Sequence, residues 1–421
     1  MNVRITAPKT AAETTLAQQF AALKGVDADR AAAFAAFAAS GLPTRRNEAW
    51  HYTDLRAAMT SAAPIAPTPD GARIEPARAL LASRERLGAV RLVLVDGRFA
   101  PELSDASPPS LTASVLAAHP PLAIPDPVVA LNDVFALRGL SLRVAPQESI
   151  GGLIEIVHIA SAQAPVAVFS RVSIILFPGA SAKVVEIFVG GGPHCQRNAL
   201  TTLSLKDGAR CEHACIVEDD AALHLESQIA TLGADAELNA FAFVSGGALV
   251  RRQLFIRQQE QGAKIALGGL TLLDGSRHAD TTLVVDHAAP HGTSREFYKH
   301  IVADEAVGVY QGKVIVQPGA QKTDGGMKSQ AILLSPRAVM NNKPELEIFA
   351  DDVVCGHGAT VGALDPEQKF YLQARGLPEA EAEAMLLEAF GAEAIERFAQ
   401  GDLADLLRTK MRAWLAGRSK P

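Results

Sequence analysis

A glycine followed by a small residue recurs at nearly regular intervals through the centre of the chain. The six glycines follow one another at intervals of 29, 25, 29, 30 and 27 residues: Gly179, Gly208, Gly233, Gly262, Gly292 and Gly319. Runs rich in Val, Ile, Leu and Thr flank each pair, which is typical of strands joined by a turn. A period of this length predicts a repetitive body in which successive coils of chain stack on one another.

Two all-β architectures could use such a period, a right-handed parallel β-helix and a β-propeller. A propeller blade needs four strands in about 40–50 residues, whereas units of about 30 residues leave room for only two or three strands. We therefore expect a mainly β protein with a right-handed parallel β-helix over residues 149–364. No single coil can bury its own apolar face, so the stacked coils must share one interior.

Helical regions are expected on both sides of this core. In residues 1–58, apolar side chains recur at three- and four-residue offsets, which indicates two helices split near residues 25–27, followed by a polar connection. Residues 59–148 are rich in proline and predict a mixed connecting region with one short strand-like run.

The C-terminal region, residues 365–421, predicts amphipathic helices over about 378–398 and 403–415. Two roles are open for them. They could cap the end of the β-helix, where a final coil would expose unpaired backbone groups, or they could dock another protein.

Composition and charge disfavour several classes of partner. The net charge is −6 and both signs are spread along the chain, so no basic stripe is available for nucleic acid. We find no secretion signal in residues 1–25 and no apolar run long enough to span a membrane. Four cysteines are too few and too clustered for a disulfide framework. We expect a cytoplasmic protein with no nucleic-acid or membrane partner.

Cys355 and His357 form the first candidate site. They lie two residues apart, so in a strand both side chains project from the same face. A thiolate and an imidazole can bind a soft or borderline metal, and Gly356 and Gly358 leave room for a cluster or a second chain. Two ligands do not complete a tetrahedral site, so the other ligands would come from elsewhere.

Two further groups of residues are better explained as structural. Cys211, His213 and Cys215 share one strand face, but the two cysteines would lie about 13 Å apart, too far to bind one ion. His287 and His291, with the Asp286 carboxylate and with His278 and His300 nearby, could form a zinc site, but Pro290 excludes a helical two-histidine geometry. We interpret both groups as core or turn residues.

Signatures of nucleotide hydrolysis and serine hydrolysis are absent from the sequence. The stretch at residues 325–329 (GGMKS) has Met where a phosphate-binding loop needs Gly before the lysine, and no G-x-S-x-G elbow occurs. We therefore expect that the chain binds no nucleotide itself.

Four stretches resemble one protein family. They are residues 45–55 (RRNEAWHYTDL), 286–299 (DHAAPHGTSREFYK), 321–329 (QKTDGGMKS) and 340–375 (MNNKPELEIFADDVVCGHGATVGALDPEQKFYLQAR). They resemble the SufB/SufD family of the SUF system for iron–sulfur cluster assembly. The first stretch, after a helical start, is typical of the SufD branch.

The resemblance implies a right-handed parallel β-helix between helical domains, in a non-enzymatic scaffold subunit. It also implies two partners: SufB, paired through the β-helices, and the ATPase SufC, bound through the C-terminal helices. The nascent iron–sulfur cluster would form at the SufB interface, with Cys355 and His357 as the ligands from this chain. A reduced flavin could act at the level of the complex, and the isolated chain could form a homodimer.

Two rival functions remain. Parallel β-helices commonly host carbohydrate-active enzymes, although two Trp and four Tyr offer few aromatic residues to grip a sugar. The other rival is a purely structural homodimer, in which Cys355 and His357 have no ligand role.

Overall fold

The computed structural model describes residues 8–116, 122, 124–162 and 164–418. The ends of the predicted terminal regions, residues 1–7 and 419–421, therefore lie outside the described chain, as do residues 117–121 and 123 of the predicted connecting region.

Eight α-helices lie within the described residues. They are α1 (Ala11–Ala21), α2 (Ala28–Ser40), α3 (Leu55–Ala58), α4 (Gly71–Ala82), α5 (Pro127–Phe135), α6 (Pro366–Ala374), α7 (Glu379–Phe398) and α8 (Gly401–Arg418). The predicted pair of N-terminal helices is confirmed. Thr10 and Glu13 form a capping box that starts α1, and the Asp27 side chain caps α2. The two predicted C-terminal helices correspond to α7 and α8.

The strands form two sheets. Sheet I contains β3 (Leu111–Leu116), β4 (Gly139–Val144), β6 (Val166–Leu176), β8 (Cys195–Leu205), β10 (Leu223–Leu232), β12 (Leu249–Gln258), β14 (His278–His287), β16 (Val307–Val316) and β18 (Val339–Ile348). Sheet II contains β1 (Val90–Val95), β2 (Arg98–Phe99), β5 (Ser149–Ala160), β7 (Ser181–Gly190), β9 (Arg210–Val217), β11 (Glu237–Val244), β13 (Lys264–Leu273), β15 (Thr293–Val302), β17 (Asp324–Leu333) and β19 (Val354–Gly362).

The chain alternates between the sheets, and each pair from β4/β5 to β18/β19 makes one coil of a parallel β-helix. The recurring glycine pairs lie at the turns that join the two strands of a coil. Gly179 joins β6 to β7 with a φ of 71°, and Gly262 joins β12 to β13 with a φ of 75°, a conformation that favours glycine. The sequence period is therefore the coil length, and the predicted fold class is confirmed.

The sheets begin before residue 149, because β1 pairs in parallel with β5 and β4 pairs in parallel with β6. Both strands fall inside the predicted connecting region 59–148. At this end the sheets finish in antiparallel pairs, β1 with β2 and β3 with β4. At the other end β18 and β19 have a hydrogen-bonded neighbour on one side only within the described chain.

Helices cover the outer faces of both sheets. The N-terminal helices and α5 bury an apolar cluster against sheet I that includes Phe169 and Leu225. The C-terminal helices bury another cluster against sheet II, in which Phe398 stacks on Phe241 at 5.8 Å between ring centroids. The C-terminal helices therefore do not cap the last coil, one of their two expected roles. They follow the apolar outward face of sheet II, which lies on the side of the β-helix.

The interior of the β-helix combines apolar clusters with buried polar groups. Aliphatic side chains from Leu92 to Val316 form one continuous cluster along the axis. Beside it, the Glu186 carboxylate accepts hydrogen bonds from His158 and His213, each at 2.8 Å. These pairs satisfy polar groups that burial would otherwise make costly.

Candidate functional site

The last coil is the most exposed part of the β-helix. Apolar side chains of β19 and of the segment before it face solvent, with Val354 72% and Phe349 59% exposed. Sheet edges with unpaired backbone groups and exposed apolar side chains are surfaces that readily add another chain. The open end is therefore the part of the described structure best suited to adding another chain.

Cys355 and His357 both lie on β19, at this open end. Cys355 pairs with Gly325 of β17, and His357 pairs with Met327. Because Met327 belongs to the interior cluster and Cys355 packs against that cluster, both site residues project toward the axis of the β-helix. Cys355 is half-buried and His357 is exposed. The predicted shared face is thus the inner face of an edge strand.

Glycines clear the space around the pair. A Cβ atom added at Gly356 or Gly358 would meet no atom within 4 Å. On the neighbouring strand, the position that a Gly325 Cβ would occupy lies 3.4 Å from the Cys355 sulfur. Gly356 and Gly358 therefore leave the outer face of β19 open, while the thiol on the inner face borders the gap at Gly325.

The surroundings of Cys355 favour the protonated thiol. Burial raises the pKa of this thiol, the hydrogen bond with the Gly325 N–H lowers it by less than burial raises it, and the negative charge of Asp324 raises it further. A thiol must lose its proton to bind a metal. A positive charge brought to the open end, such as an iron ion, would favour that loss.

The pair remains half of a metal site in this chain. Among the described residues, no three His, Cys, Asp or Glu side chains are grouped closely enough to hold a metal ion. Any complete ligand set at the open end would need donors from outside these residue types or from another chain.

Cys211, His213 and Cys215 lie in the interior, where each has a structural environment. Burial raises the pKa of Cys211 to about 12. The Cys215 thiol donates a hydrogen bond to Glu226 at 3.1 Å, and the pKa of Cys215 is raised by burial. Thiols held neutral in this way are poor ligands and poor nucleophiles. Their interpretation as core residues agrees with these contacts.

The histidines near residue 287 do not converge. His287 is buried and its Nδ1 lies 2.6 Å from the side-chain oxygen of Gln258. His291 lies in a turn with a φ of 60°, and burial lowers the pKa of His300 to about 3. These positions favour structural roles, as the sequence indicated.

The stretch at residues 45–55 fastens the N-terminal region to sheet I. The Arg251 guanidinium lies 4.3 Å from the centroid of the Trp50 ring. The Trp50 indole N–H donates to Asp126 at 3.0 Å, and the Thr53 hydroxyl lies 2.8 Å from Nε2 of His278. Lys343 of β18 forms an ion pair with Glu48 at 3.2 Å, so this contact reaches the last coil.

Met327 neighbours the site, although no motif in the sequence indicates it. Met327 precedes His357 by one coil, since 357 minus 327 is 30, within the range of the glycine intervals. The spacing of the recurring glycines is the sequence signal that places Met327 one coil before His357.

A second exposed apolar surface lies on the C-terminal helices. Phe370 is 72% exposed on α6, and Tyr371 and Met385 are also exposed. The apolar cluster that the described C-terminal helices bury against sheet II includes none of these three side chains. No helix in the described part of the chain is long and apolar enough to cross a membrane.

Comparisons with known proteins agree with the resemblance. Residues 158–390 match the family described as "SUF system FeS cluster assembly, SufBD core domain", and residues 11–116 match "SufBD protein N-terminal region". The SufD iron–sulfur cluster assembly protein of Escherichia coli is 32% identical over 85% of each chain. An iron–sulfur cluster assembly SufBD family protein of Synechocystis is 28% identical over 87% of this chain and 86% of its own. The chloroplastic protein ABCI7 of Arabidopsis thaliana is 31% identical over 58% of this chain and 52% of its own.

These matches cover both the β-helix and the helical start, and the most similar full-length relative among these three carries the name SufD. The chain therefore belongs to the SufB/SufD family of the SUF iron–sulfur cluster assembly system, and within that family it is a SufD-like protein.

Proposed function

We propose that this chain is the scaffold subunit that pairs with SufB and lends Cys355 and His357 to a site where an iron–sulfur cluster is built. The observation that carries the proposal is the location of both side chains on the inner face of an exposed edge strand, β19. A ligand pair at such an edge can be completed by a second β-helix placed end to end.

The chemistry of the pair supports a shared site. Thiolates commonly hold iron–sulfur clusters, and a neutral imidazole can replace one of them. His357 is exposed, so an incoming cluster reaches it without rearrangement of this chain. Cys355 is half-buried beside the gap at Gly325, so a small movement of β19 would expose its sulfur further.

We propose that the exposed apolar surface of α6 and α7 docks SufC. The helices are fixed to the β-helix by Lys299 of β15, which forms an ion pair with Glu393 and lies 4.0 Å from the centroid of the Phe390 ring. In the order of sheet II, β15 and β17 precede β19. Movement of α7 on nucleotide-driven SufC dimerisation would therefore reach the site strand through two neighbouring strands.

In this proposal the chain catalyses no reaction and binds no nucleotide, and the complex works in the reducing cytoplasm, where reduced flavin could supply electrons at the level of the complex. A chain that acted only as a structural homodimer would bind no cluster, and iron per complex would not change when Cys355 and His357 are both replaced.

Co-expression with SufB and SufC, followed by anaerobic purification, tests the proposal. We expect His357→Ala to reduce the cluster content per complex at least several-fold without dissociating the subunits. His51→Ala is the matched control, because His51 is an exposed histidine remote from β19 in sequence. An unchanged visible absorption spectrum and iron content in His357→Ala would remove the site assignment.

A further inference from the structure

Two rows of stacked interior residues extend from the candidate site on β19 through β17 to β15. His357 lies over Met327, which lies over Glu296. Cys355 lies over Gly325, which lies over Ser294. Strands in a sheet are about 4.8 Å apart, so the backbone of Glu296 lies only about 10 Å from that of His357.

Glu296 is buried without a partner. Its side chain is 2% exposed, and neither carboxyl oxygen has a hydrogen-bond partner among the described residues. Burial raises the pKa of Glu296 to about 8, although the nearby Ser294 hydroxyl, which is not in hydrogen-bonding geometry with the carboxyl oxygens, and Arg295 lower it. An unpaired buried carboxyl is costly and calls for an explanation.

Two other glutamates in the same interior show how this protein normally satisfies such a group. Glu186 accepts hydrogen bonds from two histidines, and Glu226 accepts two from Arg252, at 2.7 and 2.8 Å. Glu296 has no comparable partner. Arg295, next to it in sequence, projects to the outer face and pairs with Asp324 at 2.5 Å.

The interior between Glu296 and the gap left by Gly325, which we call the chamber, contains several unpaired polar atoms. The missing side chain of Gly325 leaves a position 3.4 Å from the Cys355 sulfur and 3.6 Å from the Ser294 hydroxyl oxygen. The Ser294 hydroxyl and the Tyr310 hydroxyl are buried and, like the carboxyl, lack a partner among the described residues. Across the chamber, the Met327 sulfur packs against Gly312 beside the Tyr310 hydroxyl. The chamber therefore contains unpaired oxygens and two sulfurs directly behind the site.

We propose that this chamber holds one ferrous ion between Glu296, its anionic ligand, and the Cys355 sulfur, before the ion reaches the cluster site at His357. A cation can replace the proton that burial holds on the Glu296 carboxyl, and among the described residues no lysine or arginine forms an ion pair with this group. Oxygen donors together with thiol and thioether sulfur suit ferrous iron better than Mg²⁺ or Ca²⁺, which prefer oxygen alone. The inference rests on the proposed function, which makes iron a substrate of the complex.

Binding of Fe²⁺ to the purified full-length chain, without SufB or SufC, tests the proposal. Anaerobic competition with a coloured chelator should show about one Fe²⁺ bound per chain, and Glu296→Gln should weaken its affinity at least tenfold. Glu305→Gln is the control, because Glu305 is exposed on the turn after β15 and pairs with Arg337 at 2.9 Å. Absence of Fe²⁺ binding by the unmodified chain, or equal affinity in Glu296→Gln, would overturn the proposal.

Two additional measurements keep the test decisive. With Co²⁺ as the probe, a sulfur-to-metal charge-transfer band should appear and should be lost in Cys355→Ser while the ion remains bound. If Glu296→Gln fails to fold, Glu296→Asp and Ser294→Ala take its place, and unchanged affinity in both would reject the chamber. These readouts use the isolated chain, so they are independent of the cluster content that tests the proposed function.

Discussion

A buried arginine illustrates how single residues stabilise the β-helix. Arg252 and Glu226 form a two-bond ion pair inside the coils, and Cys215 donates to the same carboxylate. Arg252→Met would leave Glu226 buried and unpaired, so we expect the free energy of unfolding to fall by about 3–5 kcal/mol.

Urea denaturation measures this change, and Arg257→Met on the same strand is its control. Arg257 is exposed and pairs with Asp286, so its loss should change stability by less than about 1 kcal/mol. Similar losses of unfolding free energy in both variants would show that burial of the Glu226–Arg252 pair does not determine its contribution to stability.

Buried histidines should make the protein sensitive to mild acid. Burial lowers the pKa of His300 to about 3, from an ordinary value of 6.5. The unfolded chain therefore binds a proton at His300 below pH 6.5 while the folded chain does not. This contribution to stability is complete above pH 6.5 and falls as the pH falls toward 3, by about 2 kcal/mol between pH 6.5 and 5.

Replacement of His300 by leucine should remove that part of the pH dependence. Unfolding free energies at pH 5 and pH 7 would be compared in the unmodified chain and in His300→Leu. If the difference between the two pH values were the same in both proteins, His300 would not be the source of the acid sensitivity.

Among the helices and strands, the contacts of Trp50 hold the N-terminal region against sheet I. Its ring is buried against Arg251 and its N–H is bound to Asp126. Trp50→Ala should cost about 3–5 kcal/mol and should speed hydrogen exchange in residues 41–58. His51→Ala, in the same stretch but exposed, should leave exchange there unchanged. Equal exchange rates in Trp50→Ala and the unmodified chain would contradict this role.

Lys299 of β15 holds α7 against sheet II. Its ammonium group is buried between Glu393 and the Phe390 ring, so Lys299→Met should increase hydrogen exchange throughout α7 while exchange in β15 stays slow. Lys369→Met is the control, because Lys369 is more exposed and pairs with Glu379. Exchange that rises in neither variant would show that α7 is held by its apolar face alone.

Across the whole molecule, the glycine period was sufficient to predict the coil and therefore the fold. A two-residue spacing also placed Cys355 and His357 on one face, because side chains alternate along any strand. The sequence could not show that this face points inward at an open end, since that depends on how many coils stack beyond β19.

Other features escaped prediction for identifiable reasons. Helix α4 contains Pro76, which argues against a helix in a proline-rich region. The strands β1 and β4 are only six residues long and find their partners far along the chain. The pairing of Glu186 with His158 joins residues 28 positions apart, and alternation alone does not reveal which polar residues face each other across coils.

The central claim is that this chain supplies a nitrogen ligand to a cluster shared with SufB. Pulsed electron paramagnetic resonance of the reduced cluster tests it most directly, in a complex reconstituted with ¹⁵N-histidine in this chain alone. We predict a ¹⁵N coupling to the cluster that disappears in His357→Ala. A cluster that forms in the complex without any ¹⁵N coupling from this chain would contradict the account.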